Sequence, residues 1–432
     1  MSVMSWGMYP RIENTVLEFD GESDLREIFK KNETLIPFGN GRSYGDSALN
    51  RIILDVKSQN KFLEFDLEKG ILGAQSGVLL SEILGVIVPN GWFLTVTPGT
   101  KLITLGGAIA SDVHGKNHHI EGCFSECVLS FSIMMADGEI VSCSKETNPE
   151  LFRATCGGMG LTGVILDAKI SLTKINSKYI NQTTIKNSNL RETFEAFEKY
   201  GDANYSVAWI DCLAKNESVG RSLLTIGEFR DDGNLDYHLQ HKATVPNGFP
   251  SFMLNSLTVK LFNWFYYSKN RQMVSSRVVD IDTFFYPLDS IAHWNRIYGK
   301  NGFVQYQFIL PLANSYSGLA EILKVIASSK KGSFLAVLKL YGEANDNYLS
   351  FPMKGYSLAL DFKLEKGVFE LIERLNDIVK KNHGRIYLAK DACVDEDTFS
   401  QGYEHIEAFR AMRKQYNMSS KFGSLQSKRV GI

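Results

Sequence analysis

Glycine, histidine and lysine are concentrated in one stretch of the chain, TPGTKLITLGGAIASDVHGKNHHIEG, at residues 97–122. Two further glycine-bearing loops accompany it, PFGNGRSYGDS at 37–47 and TCGGMGLTGVI at 155–165. Glycine lets backbone N–H groups approach a phosphate closely, because it has no Cβ and adopts positive φ at little cost. Neither the first nor the third loop fits G-x-G-x-x-G with its following helix and ribose carboxylate, which disfavours a Rossmann nicotinamide site. Taken singly, each loop is equally compatible with a tight turn.

The composition predicts a globular protein. A length of 432 residues favours two domains over a single core. The net charge of -1 gives no global sign of a nucleic-acid partner. The N-terminal segment has no basic start followed by an apolar run, and no uncharged apolar stretch is long enough to span a bilayer. We therefore expect neither a signal peptide nor a transmembrane helix.

The six cysteines are scattered, which favours free thiols in a reducing compartment over a disulfide framework. Cys123 and Cys127 follow His118 and His119 closely, so a metal site is an alternative. No second cysteine pair follows at a spacing typical of zinc sites. A metalloprotein built on His118, His119 and the nearby His114 remains a competing hypothesis.

Alternating apolar runs separated by glycines predict strands in the first part of the chain. These runs lie at 34–38, 51–56, 70–77, 128–142 and 163–172, with ADGE at 136–139 as a hairpin turn. A helix is predicted in LLSEILGVIVPNG, ending at Pro89 and Gly91. Beyond residue 177, strands are predicted at 205–213, 221–229, 303–311, 333–342 and 356–364, and helices at 189–201, 317–329 and 367–382. The alternation lacks the regular spacing of a β/α barrel, so the fold class is α+β.

The segment 249–269 is rich in aromatic residues and predicts an amphipathic helix. Helical spacing puts Met253, Leu257, Leu261, Trp264 and Phe265 on one face, with Ser256, Lys260 and Asn263 opposite. The simpler interpretation is a helix that packs this apolar face on its own domain. The alternative is a surface that touches a membrane or a lipid tail.

Taken together, in this order and spacing, the three loops make the chain resemble flavoproteins of the vanillyl-alcohol oxidase type. Within that superfamily it is similar to the decaprenylphosphoryl-β-D-ribose 2-oxidase family of bacterial cell-wall synthesis. The resembling segments are GRSYGDSALN, GGAIASDVHGKNHH, ADGEI, LFRATCGGMGLTGVIL, YSVAWID, WNRIYGKNGFVQYQF, SFPMKGYSLALDF and GRIYLAKDA. The resemblance implies a split PCMH-type FAD-binding domain at 1–178, completed by 385–432, and an antiparallel-sheet substrate domain at 179–384.

The resemblance also implies a set of FAD contacts. They are Pro37, Phe38, Gly39, Asn40, Gly41, Arg42, Ser43, Tyr44, Gly45, Asp46, Ser47, Gly99, Thr104, Leu105, Gly106, Gly107, Ser111, Asp112, Val113, His114, Ile165 and Tyr387. Several members of the superfamily link the flavin covalently through a histidine in the first loop, where this sequence has Arg42. Because a guanidinium does not act as that nucleophile, we expect FAD to be non-covalent, with His114 as the remaining candidate for a bond.

Oxidation of a secondary alcohol needs a C–H bond aimed at the flavin and a group that accepts or shares the hydroxyl proton. By similarity, Lys390 orients the substrate, and a desolvated lysine can also have a pKa low enough for proton transfer. The alternative for Lys390 is a surface lysine paired with Asp391. Tyr44 and His114 are the other candidates for proton handling.

The resemblance further implies substrate contacts from Lys116, Gln305, Gln307, Lys339, Ser357 and Lys390. Gln305 and Gln307 alternate along a predicted strand and share a face, with Tyr306 opposite. Two lysines would suit a phosphodiester, which a free polyol does not require. Ser357 and Ala359 stand where mycobacterial members have asparagine and cysteine, which bears on the shape of the substrate.

The sequence thus predicts an FAD-dependent oxidoreductase that oxidises the 2-hydroxyl of a polyprenylphosphoryl-β-D-ribose to the ketone. This is the first half of epimerisation to the arabinose for arabinan or other cell-wall polysaccharide, with a short-chain-type keto-reductase as partner. The alternatives are an oxidase of a free alditol or aldonolactone, and a flavin-binding scaffold without turnover. A lipid-linked substrate implies a cytoplasmic or peripheral location at the inner membrane, with the periplasmic side still open.

Overall fold

The fold is α+β, as predicted, and the computed structural model describes residues 2–238, 243–248, 250 and 254–432. The strands are Thr15–Leu17 (β1), Ile36–Phe38 (β2), Ile52–Asp55 (β3), Phe62–Asp66 (β4), Ile71–Gln75 (β5), Trp92–Leu94 (β6), Val128–Met134 (β7), Ile140–Cys143 (β8), Val164–Lys174 (β9), Tyr179–Asn187 (β10), Tyr205–Ile210 (β11), Ser222–Phe229 (β12), Ala243–Thr244 (β13), Val274–Asp280 (β14), Ile291–Ala292 (β15), Phe303–Pro311 (β16), Ala336–Tyr341 (β17), Gly355–Lys363 (β18) and Arg385–Ile386 (β19). The helices are Glu22–Lys31 (α1), Leu80–Ile87 (α2), Leu105–Ala110 (α3), His118–Glu121 (α4), Pro149–Thr155 (α5), Leu190–Lys199 (α6), Ser256–Ser268 (α7), Ile281–Phe285 (α8), Leu312–Ser329 (α9), Val368–Lys381 (α10), Glu396–Gly402 (α11), Ile406–Gln415 (α12), Met418–Lys421 (α13) and Leu425–Arg429 (α14).

Two sheets build the first part of the chain. The strands β1, β3 and β2 form a parallel sheet in that order. The second sheet is antiparallel, in the order β4-β5-β9-β7-β8, with β6 paired to β9. The predicted hairpin turn joins β7 to β8, where Gly138 has a φ of 88° that glycine adopts without strain. The strands and the helix predicted in this part are confirmed at these positions.

One eight-stranded sheet dominates the second part, in the order β14-β10-β12-β11-β17-β18-β16-β19. All of its pairings are antiparallel. One face carries buried apolar side chains that pack beneath α6, α9 and α10, and Tyr306 on this face donates to Asn376 of α10 at 3.0 Å. The other face of the sheet is therefore free to line a site.

The C-terminal segment returns to the first part of the chain. Leu35 forms a parallel bridge with Phe422. Arg429 of α14 contacts Asp46 in the first glycine loop at 2.6 Å and Asp391 at 2.8 Å. The domain division predicted from the sequence stays a prediction: β9 and β10 flank its first boundary at 178, whereas β19, just after the second boundary, pairs with β16 of the large sheet.

Helix α7 lies the opposite way round from the simpler interpretation of its sequence. The face with Leu257, Leu261, Trp264 and Phe265 is exposed, and Asn263 is buried instead. Asn263 donates to the buried carboxylate of Asp211 at 2.8 Å and Val259, one turn away, is buried with it, whereas Ser256 and Lys260 are exposed. The expectation that the apolar face packs on its own domain is therefore wrong for these four side chains. Met253, placed on the same face, lies outside the described residues.

Among the helices of the described ranges, we find none whose length and apolar character would suffice to cross a bilayer. All six cysteines are free thiols, as predicted.

Candidate active site

A cavity of about 680 Å³ lies between the glycine loops and the large sheet. Its volume is in the range of small-molecule and cofactor sites. The loops at 37–49 and 97–107 line one part of it, and strands β16, β17 and β18 line another. The stretch at 97–122 contributes Gly99, Gly106, Gly107 and His114 to this wall.

The register of three central strands explains the polar wall of the cavity. Gln307 pairs with Ala359, Gln305 with Asp361, and Lys339 with Ser357, so residues two apart on each strand project from the same face. The intervening residues, such as Tyr306, point into the core. The alternation seen in VQYQF is therefore the signal that places two amides in the site.

The structure brings nearly all of the predicted cofactor contacts into this one cavity. The residues that line it are Pro37, Phe38, Gly39, Asn40, Gly41, Arg42, Ser43, Tyr44, Gly45, Ser47, Gly99, Thr104, Gly106, Gly107, Ser111, Val113, His114, Ile165 and Tyr387. All six predicted substrate contacts line it too, namely Lys116, Gln305, Gln307, Lys339, Ser357 and Lys390. Their individual roles remain predictions.

Three of the predicted cofactor residues do not line the cavity. The Asp46 carboxylate is turned toward Arg429. Leu105 is fully buried in the apolar core of the first part. Asp112 accepts hydrogen bonds from Ser125, Asn347 and Ser350, which makes its side chain a buried structural anchor behind the wall.

The cavity wall contains polar atoms that no other described residue satisfies. Arg42 Nε, Ser76 Oγ and His114 Nδ1 are buried and have no hydrogen-bond partner among the described residues. Buried polar groups are normally hydrogen-bonded, so each of these atoms fits a ligand in the cavity. Gly99 adds open space, since a Cβ built there would meet nothing within 4 Å. A polar, phosphate-bearing cofactor suits such a lining.

Arg42 lies in the first glycine loop with its guanidinium 3.9 Å from the ring centroid of Trp6. Trp6 also lines the cavity, although no sequence pattern singled it out. Burial lowers the pKa of Arg42, and the neighbouring Asp289 opposes that effect. A stacked and positively charged guanidinium at this position can hold a phosphate oxygen.

Two lysines in the cavity have no hydrogen-bonded partner among the described residues. Lys339 projects from β17 into the cavity, and its ammonium group makes no ion pair or hydrogen bond with a described residue. Lys390 places Nζ 3.8 Å from the ring centroid of Tyr44 and makes no ion pair. Asp391 pairs with Arg429 instead, so the alternative of a surface lysine bound to Asp391 is wrong. Unpaired charges are costly to bury, which makes this wall suited to an anion.

The lysines of the cavity have strongly lowered pKa values. Burial lowers the pKa of Lys390 to about 7, an effect that Asp361 opposes and Lys339 reinforces. Burial lowers the pKa of Lys116 to about 7, with a further decrease from Lys339. Burial also lowers the pKa of Lys339 to about 8. All three groups therefore change charge near neutral pH.

Tyr44 and His114 titrate outside the neutral range. Burial raises the pKa of Tyr44 well above its usual value. Burial, followed by the charge of Lys339, lowers the pKa of His114 well below its usual value. His114 Nε2 lies 3.1 Å from Gln307 Nε2, and with the amide donating, the ring proton resides on Nδ1. At neutral pH both side chains are uncharged, and Lys390 is the better proton acceptor.

Asp361 is a carboxylate that sequence reasoning missed, and it lies behind the cavity wall, where it bonds Gln305. It is buried at 1% exposure and accepts from Gln305 at 2.5 Å and Tyr298 at 3.2 Å. Burial raises its pKa to about 6, while the hydrogen bond from Gln305 and the charge of Lys390 oppose that rise. The signal was present in GYSLALDF, where Ser357, Ala359 and Asp361 alternate onto one face.

The histidines and cysteines at 114–127 are close together without forming a metal site. Cys123 Sγ lies 3.5 Å from His118 Nε2, while His119 turns its ring toward the carbonyl of Ala203. Within the described ranges, no three side chains of histidine, cysteine, aspartate or glutamate are grouped to hold a metal ion.

Comparison with known proteins agrees with this geometry. A family model described as an FAD binding domain matches residues 18–144, which include two of the three glycine loops. The chain is thus an FAD-dependent oxidoreductase. It is 32% identical to the decaprenylphosphoryl-beta-D-ribose oxidase of Mycolicibacterium smegmatis over 449 aligned positions, covering 100% of this chain and 97% of that protein. The chain belongs to the decaprenylphosphoryl-β-D-ribose oxidase family.

More distant relatives share only part of the chain. The L-gulonolactone oxidase of Bos taurus is 26% identical over 41% of this chain and 40% of its own length. The D-arabinono-1,4-lactone oxidase of Candida glabrata is 23% identical over 44% of this chain and 36% of its own length.

Proposed function

We propose that the protein oxidises the 2-hydroxyl of a polyprenylphosphoryl-β-D-ribose to the ketone, as the first half of an epimerisation to the arabinose. The observation that carries this proposal is Lys339, a lysine of the cavity whose buried ammonium group has no charged partner among the described residues. Within the part of the chain that the structure describes, Asp361 is the one acidic group that influences the pKa of Lys339 or Lys390. A phosphodiester supplies the missing negative charge, whereas a free sugar or polyol does not.

The chain's own residues divide the work between binding and proton transfer. Lys339 and Lys116 attract the phosphate, and the paired amides of Gln305 and Gln307 bond the sugar hydroxyls. Lys390 accepts the proton of the reacting hydroxyl, because its pKa of about 7 leaves a neutral fraction at physiological pH. Bound FAD supplies the acceptor for the hydride of the carbinol carbon.

Because Tyr44 and His114 are uncharged at neutral pH, we assign them to positioning Lys390 and the ligand and not to proton transfer. Tyr44 carries the Lys390 ammonium on its ring face, which fixes the lysine in the cavity. His114 offers an unpartnered Nδ1–H toward the ligand while Nε2 is engaged by Gln307. FAD is held without a covalent bond in this proposal, since Arg42 replaces the histidine nucleophile and His114 is enclosed by Tyr341 and Tyr387.

The test is reduction of the purified holoprotein by substrate without oxygen. Polyprenylphosphoryl ribose should bleach the flavin band at about 450 nm, and free ribose or xylitol should not. Bleaching by free polyols alone, with no response to the phosphorylated lipid, would assign the protein to the alditol or aldonolactone oxidases. Mass analysis after acid precipitation checks the cofactor linkage, since a non-covalent FAD is released.

The proposal implies two partners of defined chemistry. A 2-keto sugar must be reduced from the opposite face to give the arabinose, which calls for a keto-reductase of the short-chain type. The prenyl chain requires access to a lipid phase, so the protein works in peripheral contact with the inner membrane, supplying a precursor for arabinan or related cell-wall polysaccharide.

A further inference from the structure

We propose that α7 docks on an anionic lipid bilayer surface through its exposed apolar face, defined by Leu257, Leu261, Trp264 and Phe265. Their exposures are 73%, 62%, 56% and 61%, respectively. They stand at positions i, i+4, i+7 and i+8 of one helix, so they form a single stripe. Contiguous apolar surface of this kind on a folded protein marks an interaction site.

The helix is held with this face outward. Val259 is buried, and Asn263 donates to Asp211, which in turn is bonded by Arg221 at 2.7 Å and 2.9 Å. If the helix rotated to bury the stripe, the hydrogen bond from Asn263 to the Asp211 carboxylate would break, and Asn263 would become exposed. The stripe is therefore a fixed feature of the surface, and none of the residues that the structure describes covers it.

Charge identifies the occupant as an anionic surface. Residues 254–279 contain Lys260, Lys269, Arg271 and Arg277 and no aspartate or glutamate, in a chain with 47 basic and 48 acidic residues overall. Cations beside an apolar, tryptophan-bearing helix face are the arrangement that interfacial helices use on anionic lipids. A symmetric pairing with a second copy would set the same cations against each other, which disfavours a dimer on this face.

The position of α7 relative to the cavity connects docking to the site. Phe262 and Tyr266, on a neighbouring side of the same helix, line the cavity, and Phe262 is 43% exposed. The cavity thus reaches the surface beside the stripe. This step rests on the proposed function: a prenyl chain attached to a sugar phosphate in the cavity would leave along Phe262 and Tyr266 into the bilayer.

The experiment measures vesicle binding of the FAD-loaded full chain by flotation. Vesicles of phosphatidylcholine with about one third phosphatidylglycerol should bind the protein, and pure phosphatidylcholine should bind it more weakly. A double variant, Leu261→Ser with Trp264→Ser, should lower the partition coefficient roughly tenfold or more. The matched control is Leu63→Ser with Leu67→Ser, since these two residues are 56% and 54% exposed on β4 and just after it.

The outcomes separate docking from catalysis. Loss of flotation in the α7 variant, with the control bound and both flavin spectra and Tm values unchanged, supports the proposal. Equal flotation of the α7 variant and the control overturns it. Absence of vesicle binding overturns it as well, and a concentration-dependent dimer that the α7 variant abolishes would assign the face to a second copy.

The enzymatic proposal fails independently of this one. Reduction of the flavin by a short-chain prenylphosphoryl ribose in detergent does not depend on vesicles. If the protein floats with the vesicles but its flavin is not reduced by that substrate, the docking proposal stands and the proposed reaction is refuted. If the flavin is reduced but the protein does not float, the proposed reaction stands and the docking proposal is refuted.

Discussion

The pH dependence of substrate oxidation tests the assignment of Lys390 as the proton acceptor. Only the neutral amine can accept a proton, and a pKa of about 7 makes the neutral fraction about 0.09 at pH 6 and about 0.91 at pH 8. We therefore expect the rate constant for flavin reduction at saturating substrate to rise about tenfold over this interval. An unperturbed lysine would stay almost fully protonated throughout.

The matched perturbations are Lys390→Met, Lys390→Arg and Asp361→Asn. Removal of the amine should lower the rate about 10²–10⁴-fold and eliminate the inflection near pH 7. Arginine keeps the positive charge and cannot accept the proton, so KM should change little while the rate stays low. Asp361 raises the pKa of Lys390, so its replacement by the isosteric amide should move the inflection to lower pH.

The assay is anaerobic stopped-flow spectroscopy of flavin bleaching, with FAD content matched among the variants. Persistence of the same inflection in Lys390→Met would refute the role of Lys390, because another group would then be titrating. A shift of the Asp361→Asn inflection to higher pH would contradict the electrostatic argument. A flat wild-type profile from pH 6 to pH 8 would show that proton transfer to this lysine does not limit the reaction.

Three further predictions follow from the site and its supports. Lys339→Met should raise KM for the phosphorylated lipid roughly 10–100-fold without loss of bound FAD, because a charge-assisted bond of about 1.5–3 kcal/mol is removed. An unchanged KM in steady-state assays would contradict the role of Lys339 in binding the phosphate. Arg429→Met leaves Asp46 and Asp391 buried without their cation. The free energy of unfolding at pH 8 should therefore fall by about 3–5 kcal/mol, as measured by denaturant titration. The loss should be smaller at pH 5, where Asp46, whose pKa is about 6 even with Arg429 present, is protonated. Gly99→Ala should leave the Tm of the apoprotein unchanged, since no described residue other than its two chain neighbours has an atom within 4 Å of the new Cβ. The same variant should weaken FAD binding in titrations, and equal affinity would place the cofactor away from Gly99.

The sequence predicted those elements whose periodicity is set by one buried face. Strands β16 and β18 alternate cleanly because one side packs on α9 and α10 and the other lines the cavity. Strand β10 was not predicted, since its polar sequence YINQTTIKN lies near the edge of the sheet and turns Gln182 toward the cavity.

Other features depend on contacts that periodicity does not contain. Helical spacing identified the apolar stripe of α7, yet it did not show whether the stripe faces the protein or the solvent. The hydrogen bond between Asn263 and Asp211 decides which side of the helix faces the protein. Asp361 and Lys390 interact across a separation of 29 residues, which only the tertiary arrangement brings together. The motif resemblance located the cavity residues, while their charge states required the burial that the fold creates.

The ion pairs of Arg429 constrain the order in which the protein can be completed during synthesis. Its guanidinium joins Asp46 in the first glycine loop to Asp391, the neighbour of Lys390. Gln426 of the same helix also bonds Asp391, at 3.1 Å. The loop at 37–47 leaves the ribosome early, yet Arg429 follows Asp46 by 383 residues. The first glycine loop therefore stays without this support while the ribosome makes most of the chain, and it gains the support only once residue 429 has been synthesised.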